Sequence, residues 1–480
     1  MASAHQAAGT SRRSTGWVIA GFAATGLLTA AVIAQVLRSG TDSANTSAPG
    51  YLPLAWMAAL VLVIAFGLAI VVRRVDITVA RWLPWLVGVV SLLVSLVPWW
   101  ILAAGGKDTV ARIYAGLHVP QGIVAFWDLD LVLKSIDCSR FGFDVFAANN
   151  GCLKDPAIYG PGVLWLKYIP GHPISESALT VLGVLMMVIS SLVLAWLARQ
   201  SRGVGPLVLL AAAVGGPWLL LLERGNLDAV VLWAAALCVL LVRRWDRLWA
   251  WFVAAGIIWI LGTWKYYPLA LGVLLVPALR LRRGWTVLVA WLVASLAFLA
   301  LDWQGFRASS AANTAMTNLG DFVVLGRTTL VSRMLGTTVG APGWQGNDLL
   351  VLLLALVAVA FGVAVGVTMR RLPVHPAMLA ASGSLVFLAS VLIAGFGWGY
   401  KAAFLLLNVP LLASVMCARR AALVASGTLA MALVAISSFV VWNTVLATTA
   451  GIVAASFSAG LGGAVLVRSV RVPQGSGQPR

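Results

Sequence analysis

Residues 223–285 read ERGNLDAVVLWAAALCVLLVRRWDRLWAWFVAAGIIWILGTWKYYPLALGVLLVPALRLRRGW. A polar junction (Glu223, Arg224, Asn226, Asp228) opens an apolar run that ends in a basic turn at Arg243, Arg244 and Arg247. A second apolar run leads to Lys265, Tyr266, Tyr267 and Pro268. A third ends at Arg280, Arg282 and Arg283. Apolar runs with charge confined to their ends read as membrane helices and their connections. The runs 227–242, 249–263 and 266–279 are shorter than the ~20 residues that cross a bilayer upright, so tilted or re-entrant helices are expected among them.

The same alternation extends to both sides. Candidate spans are 17–37, 52–72, 83–103, 177–198, 205–222, 227–242, 249–263, 266–279, 285–302, 349–369, 377–395, 401–417, 421–441 and 448–467. Only 10% of residues are charged and mean hydropathy is +0.97, against about 25% charged in soluble domains. The expected fold is therefore all-α: a polytopic membrane bundle of about 12–14 transmembrane helices with two large external loops. The chain divides into a tail (1–16), three helices (17–103), a loop (104–176), a helical core (177–302), a second loop (303–348), C-terminal helices (349–467) and a tail (468–480). Trp17 to Leu37 is long for a signal peptide and reads as an uncleaved first helix.

A net charge of +18 invites a nucleic-acid reading, but the arginines sit in short clusters between apolar runs and there is no soluble basic domain. No nucleic-acid partner is expected. With the N-terminus placed in the cytoplasm, the cytoplasmic segments collect twenty arginines and two acids, Asp76 and Asp246. This obeys the positive-inside rule at every turn. It predicts a multi-pass plasma-membrane protein with both termini cytoplasmic. It also puts all six lysines and both large loops on the external face.

The loop 104–176 concentrates the polar chemistry. It holds Asp108, Asp128, Asp130, Asp137, Asp144 and Asp155, two of the four cysteines and two of the four histidines. Asp128 and Asp130 follow an aromatic pair in AFWDLD. Two carboxylates so close to apolar surface disfavour double ionisation, which suits one of them to act as a general base; the bland alternative is two solvated loop carboxylates. Cys138 and Cys152 share this external loop and are expected to form a disulfide. Cys238 and Cys417 lie in apolar runs and read as packing residues.

Elsewhere, Asn226 is a natural cap for the helix after it. Asp228 lies inside a span, where a charge normally faces a cavity or a partner. Lys265 and Lys401 each stand beside a tyrosine at the outer end of a span. They read either as snorkelling side chains or as cations for a lipid phosphate. Arg327 and Arg333 in the second loop are further phosphate candidates. His118 and His172 have no ligand-like spacing. There is no HExxH, paired CxxC, Walker loop, GxGxxG or GxSxG. No metal site or cofactor is expected, with a divalent cation left open.

The block 223–285 resembles the mid-region of bacterial polyprenyl-phosphate-sugar-dependent glycosyltransferases of the GT-C fold. The likeness is greatest to the α-1,2-mannosyltransferases of phosphatidylinositol mannoside and related envelope glycan synthesis. Arg224, Gly225, Asn226, Asp228, Lys265, Tyr267 and Pro268 match that group's elements in order and spacing. Asp128 or Asp130, then Gly142, Asp144 and Phe146, then Tyr159, Gly160 and Pro161 look similar to its first external loop. The resemblance covers roughly residues 83–300. Two additional helices precede it, and its external loop is longer and carries the cysteine pair.

The resemblance implies an enzyme that moves a sugar, mannose first and arabinose next, from a polyprenyl-phosphate donor to an envelope glycolipid or glycan. It implies Asp128 as base with Asp130 as runner-up, and Arg224 and Lys265 at the donor phosphate. Asn226, Asp228 and Tyr267 would shape the pocket, with Lys401, Arg327 and Arg333 as further phosphate contacts. The competing reading is a transporter or lipid flippase, which expects internal repeats and ionisable residues at mid-membrane in broken helices. A third is a non-catalytic envelope assembly protein.

Overall fold

The computed structural model describes residues 82–116, 126–147, 151–153, 157, 159–168, 176–203, 205–307, 324–325, 346–369, 372–392, 397–418 and 444–471. The expected spans 17–37, 52–72 and 421–441, the two termini, and Arg327 and Arg333 lie outside them. The α-helices are α1 (Leu83–Ala103), α2 (Lys107–Gly116), α3 (Trp127–Arg140), α4 (Glu176–Gln200), α5 (Gly205–Ala213), α6 (Gly216–Glu223), α7 (Asp228–Arg244), α8 (Leu248–Trp264), α9 (Trp285–Leu301), α10 (Gly346–Thr368), α11 (Val374–Leu392), α12 (Val409–Ala418) and α13 (Thr444–Arg471). Among the described residues there are also three 3-10 segments, Pro161–Tyr168, Tyr267–Arg280 and Gly399–Asn408. The described strands are a two-residue antiparallel pair, β1 (Val324–Leu325) with β2 (Gly397–Trp398).

Four of the described helices are long and apolar enough to cross a membrane: Leu83–Leu102, Ser177–Gln200, Val374–Val391 and Gly451–Arg471. The pair α5 and α6 makes a fifth if it is taken as one span. Packing has the polarity of a membrane bundle. On α1, Val89, Leu93 and Val97 face outward while Ser91 and Ser95 are buried. Ser91 Oγ lies 2.9 Å from Ser191 Oγ of α4 and accepts from Trp218 Nε1 at 2.8 Å. Apolar side chains turned outward cost nothing in lipid, and small or hydroxyl residues inside let helices approach and hydrogen-bond. Glycines do the same where α10 meets α13: a Cβ on Gly362 would stand 2.2 Å from Phe457 O, and one on Gly460 2.3 Å from Val359 O. This is the architecture of an α-helical membrane protein.

Three expected spans take a different form. The run 205–222 is broken: α5 and α6 meet at 53°, because Gly215, Gly216 and Pro217 interrupt it and a proline removes a backbone donor. The run 266–279 is a 3-10 helix with Pro268 at its start and Pro277 inside. A 3-10 helix rises ~2.0 Å per residue, so this segment reaches further than an α-helix of equal length. The run 401–417 begins as 3-10 and continues as α12. The loop 104–176, expected as a connection, folds into α2, α3 and the 161–168 segment.

Helices α7 and α8 form a hairpin that separates two kinds of polar surface. At its turn, Asp246 accepts from Arg280 at 2.6 Å and from Trp251 Nε1 at 3.2 Å, and Arg243 donates to Gln200 at 2.7 Å. At the opposite end stand Asp228 and Lys265, and the candidate site is built there.

Candidate functional site

Two helix ends supply each other's missing partners. The first N–H groups of an α-helix and the last C=O groups have none within the helix. Here the amides of Phe126 and Asp128, at the start of α3, donate to the carbonyls of Glu223 and Arg224, at the end of α6, both at 2.9 Å. Phe126 adopts φ 58° to make this turn, and its buried ring stacks on Trp99 at 6.5 Å. Gly225 follows with φ 59°, and a Cβ there would stand 3.0 Å from Leu129 Cβ and 3.2 Å from Phe126 Cβ. Glycine is required at this position both for the left-handed backbone and for the close approach.

This junction sets Asp128 against Arg224, although 96 residues separate them. Arg224 donates to Asp128 Oδ1 through Nε at 3.0 Å and Nη2 at 2.7 Å. Asn226 Nδ2 donates to Asp128 Oδ2 and, at 2.8 Å, to the Tyr400 hydroxyl. Asn226 Oδ1 accepts from the amide of Asp228 at 2.9 Å and from Lys265 Nζ at 2.8 Å. One side chain thus takes the first amide of α7, with Leu227 rather than Asn226 at the N-cap, and ties two charged groups together. Asp228 Oδ1 accepts from Lys265 Nζ and from the Tyr267 hydroxyl. Asp128, Asn226, Asp228, Tyr267 and Tyr400 are all buried. Buried charge is tolerable only when paired and hydrogen-bonded; residues from four separate stretches give each carboxylate of this network a cationic partner.

Asp130 is not part of it. It lies on another face of α3 and pairs with Lys134 at 2.6 Å. The two carboxylates that were alternatives for the base thus have different partners, and of the two Asp128 joins the network. Lys401 is buried beside the network, its Nζ 5.0 Å from the Tyr267 ring centroid and 3.3 Å from Ser390 O. Cys138 and Cys152 form a disulfide that ties the end of α3 to the following loop. Arg140 fastens the same end: it donates to the carbonyls of Lys167 at 3.2 Å and Leu166 at 3.3 Å. Cys238 is a buried thiol. Among the described residues no group of three or more His, Cys, Asp or Glu side chains could hold a metal ion.

Tyr159 was named in sequence only as part of a matched element, yet it belongs to the site. The amide of Gly160 donates to Trp264 O at 2.7 Å. A Cβ on Gly160 would stand 2.3 Å from Thr263 O, and one on Gly162 2.0 Å from Thr263 Oγ1. The Tyr159-Gly160-Pro161-Gly162 turn thus lies flat on the end of α8, with Lys265 Nζ 5.0 Å from the Tyr159 ring centroid. Burial, and then the carboxylates of Asp128 and Asp228, push the Tyr159 hydroxyl well above its usual pKa, so it keeps its proton.

An open apolar groove of about 580 Å³ runs between α4, α7 and α8. Trp196, Trp233, Leu240 and Ile257 are among its lining residues. Its lining includes Val230, two residues after Asp228, and Leu261, four before Lys265. It therefore runs along the same hairpin whose end carries the polar network. Comparison with protein-family models, curated proteins and solved structures returned no match to this chain.

Proposed function

We propose that the chain is an integral membrane glycosyltransferase. It moves a sugar, mannose first and arabinose second, from a polyprenyl-phosphate donor to an envelope glycolipid or glycan on the non-cytoplasmic face. The observation that carries this reading is the convergence of Asp128, Arg224, Asn226, Asp228, Lys265 and Tyr267 in one buried network at one end of α7–α8. An apolar groove on the same hairpin supports it, since a polyprenyl tail needs an apolar path along the protein.

In the proposed step Asp128 takes the proton of an acceptor hydroxyl. The acceptor oxygen bonds to the anomeric carbon as the bond from that carbon to the phosphate oxygen breaks, and configuration inverts. Polyprenyl phosphate leaves with the bonding pair. A planar guanidinium binds carboxylate or phosphate equally well in geometry. Arg224 forks onto Asp128; a donor phosphate competes for that fork and uncovers the base. Lys265 supplies a second cation for the leaving group. No nucleotide enters the step.

One observation favours a second reading, a transporter or lipid flippase. The bent pair α5–α6 ends at the charged network, and broken helices that end at a polar site are a transporter feature. The deciding experiment uses purified protein in lipid with polyprenyl-phosphate mannose or arabinose and a panel of envelope glycolipid acceptors. Glycosylated product and released polyprenyl phosphate are expected. Donor moved between leaflets of proteoliposomes with its sugar bond intact would overturn the enzyme reading in favour of the second.

A further inference from the structure

Two buried polar atoms of the site have no hydrogen-bond partner among the described residues: the Tyr159 hydroxyl and Asp228 Oδ2. Both residues are 1% exposed. A buried polar atom left unpaired is costly, and most are paired by protein or by water. Neither residue is idle in other respects. Asp228 uses its other oxygen to accept from Lys265 and Tyr267. The Gly160–Gly162 turn that follows Tyr159 is seated on the end of α8, and the Tyr159 ring lies within cation–π range of Lys265. Lys265 Nζ bonds to Asp228 and lies 5.0 Å from the Tyr159 ring centroid, so the two residues flank the same cation.

The chemistry of the two atoms selects a ligand group. A protonated phenol donates and a carboxylate oxygen accepts. A phosphate oxygen bonded at Asp228 Oδ2 itself would face a carboxylate oxygen with no proton between them and be repelled. A neutral hydroxyl meets both needs at once, accepting from Tyr159 and donating to Asp228.

We propose that Tyr159 and Asp228 form a subsite that reads a hydroxyl of the transferred sugar, distinct from the contacts made to the donor phosphate. This rests on the glycosyltransferase reading. It makes Tyr159 a specificity residue. Replacing it by phenylalanine removes an atom that no group among the described residues uses, so the fold should not suffer, while the site loses one means of telling a sugar from bare lipid phosphate. Sites built to bind a hydroxyl reject ligands that lack it far better than apolar pockets reject an added one.

The test measures Kd values of wild type and Tyr159→Phe in lipid nanodiscs. The probes are polyprenyl phosphate, polyprenyl-phosphate mannose and polyprenyl-phosphate arabinose. The ligand-free melting temperature of each protein is measured beside them. The expected result is a Tyr159→Phe protein that melts no lower than wild type and binds bare polyprenyl phosphate equally well. Its preference for the better sugar-bearing lipid should fall roughly tenfold, the value of one lost hydrogen bond. An unchanged preference would overturn the subsite and leave the enzyme reading standing. So would a lower ligand-free melting temperature, because the hydroxyl would then serve the fold, or a wild type that binds sugar-bearing and bare lipid equally. If no lipid binds wild type, the glycosyltransferase reading falls and the subsite with it.

Discussion

Two faces of α3 carry two ion pairs of nearly equal length and unequal meaning. Asp130–Lys134 closes at 2.6 Å and Asp128–Arg224 at 2.7 Å. The first joins neighbours one turn apart, with the lysine side chain 63% exposed; the second joins residues from distant stretches, with both side chains at or below 13%. An exposed pair at this helical spacing contributes about 0.3–0.5 kcal/mol, because water already solvates both charges. In the buried pair each charge has given up its water and depends on the other. Distance does not separate the two pairs; burial and long-range assembly do. The buried face of α3 is thus the face where the charge is committed to a particular arrangement, and the outer face is ordinary solvated helix.

The comparison can be broken most severely at Arg224. Arg224→Ala leaves the buried Asp128 carboxylate without its cation, with Asn226 still donating to it, and removing one partner of a buried pair costs about 3–5 kcal/mol. The melting temperature in detergent should drop steeply. A protein that melts like wild type would mean that the two faces are energetically alike. Next in size is the end of α3. Cys138→Ser opens a link with sequence separation 14, worth roughly 3 kcal/mol in the chain-entropy model. Reduction of the wild-type protein should lower its melting temperature to a similar degree, and a reductant without effect would count against the bridge as a stabilising element.

Gly225→Ala tests the junction that sets α3 against α6. The left-handed backbone costs a side-chain-bearing residue about 1–2 kcal/mol, and its Cβ would also press on Leu129. Loss of stability together with loss of transfer is expected, since the same turn positions Arg224. Stability lost with transfer intact would uncouple the junction from the site. The smallest effect belongs to the outer face: Lys134→Ala should change stability by no more than about 0.5 kcal/mol and leave transfer unchanged. A larger loss would show that the exposed pair belongs to the machinery after all.

Much of this was legible in the amino-acid sequence, and the reasons are specific. The spans at 83–103, 177–198, 227–242, 249–263 and 285–302 match helices because an apolar run bounded by charge has one stable state in a membrane. Arg224, Asn226, Asp228, Lys265 and Tyr267 meet because the α7–α8 hairpin brings its two ends together. The hairpin was visible as two apolar runs around a basic turn. Cys138 and Cys152 pair across the loop that contains them.

The choice between Asp128 and Asp130 was not legible. Residues two apart on a helix point about 200° apart, so the two had to differ, but only the docking of α3 on the end of α6 decides which is buried. Tyr159 was hidden for a similar reason, since its role depends on the fit of Gly160 and Gly162 to Thr263. The bend between α5 and α6 had a local signal in Gly215, Gly216 and Pro217, masked by the apolar residues on both sides.

The most direct test of the central claim compares Asp128→Asn with Asp130→Asn, one substitution on each face of α3, in sugar transfer from a polyprenyl-phosphate donor. Asp128→Asn should lower the rate by about 10²–10⁴, the usual contribution of a positioned general base, and Asp130→Asn should leave it near the wild-type value. Near-wild-type transfer by Asp128→Asn, or its loss in Asp130→Asn instead, would contradict the account.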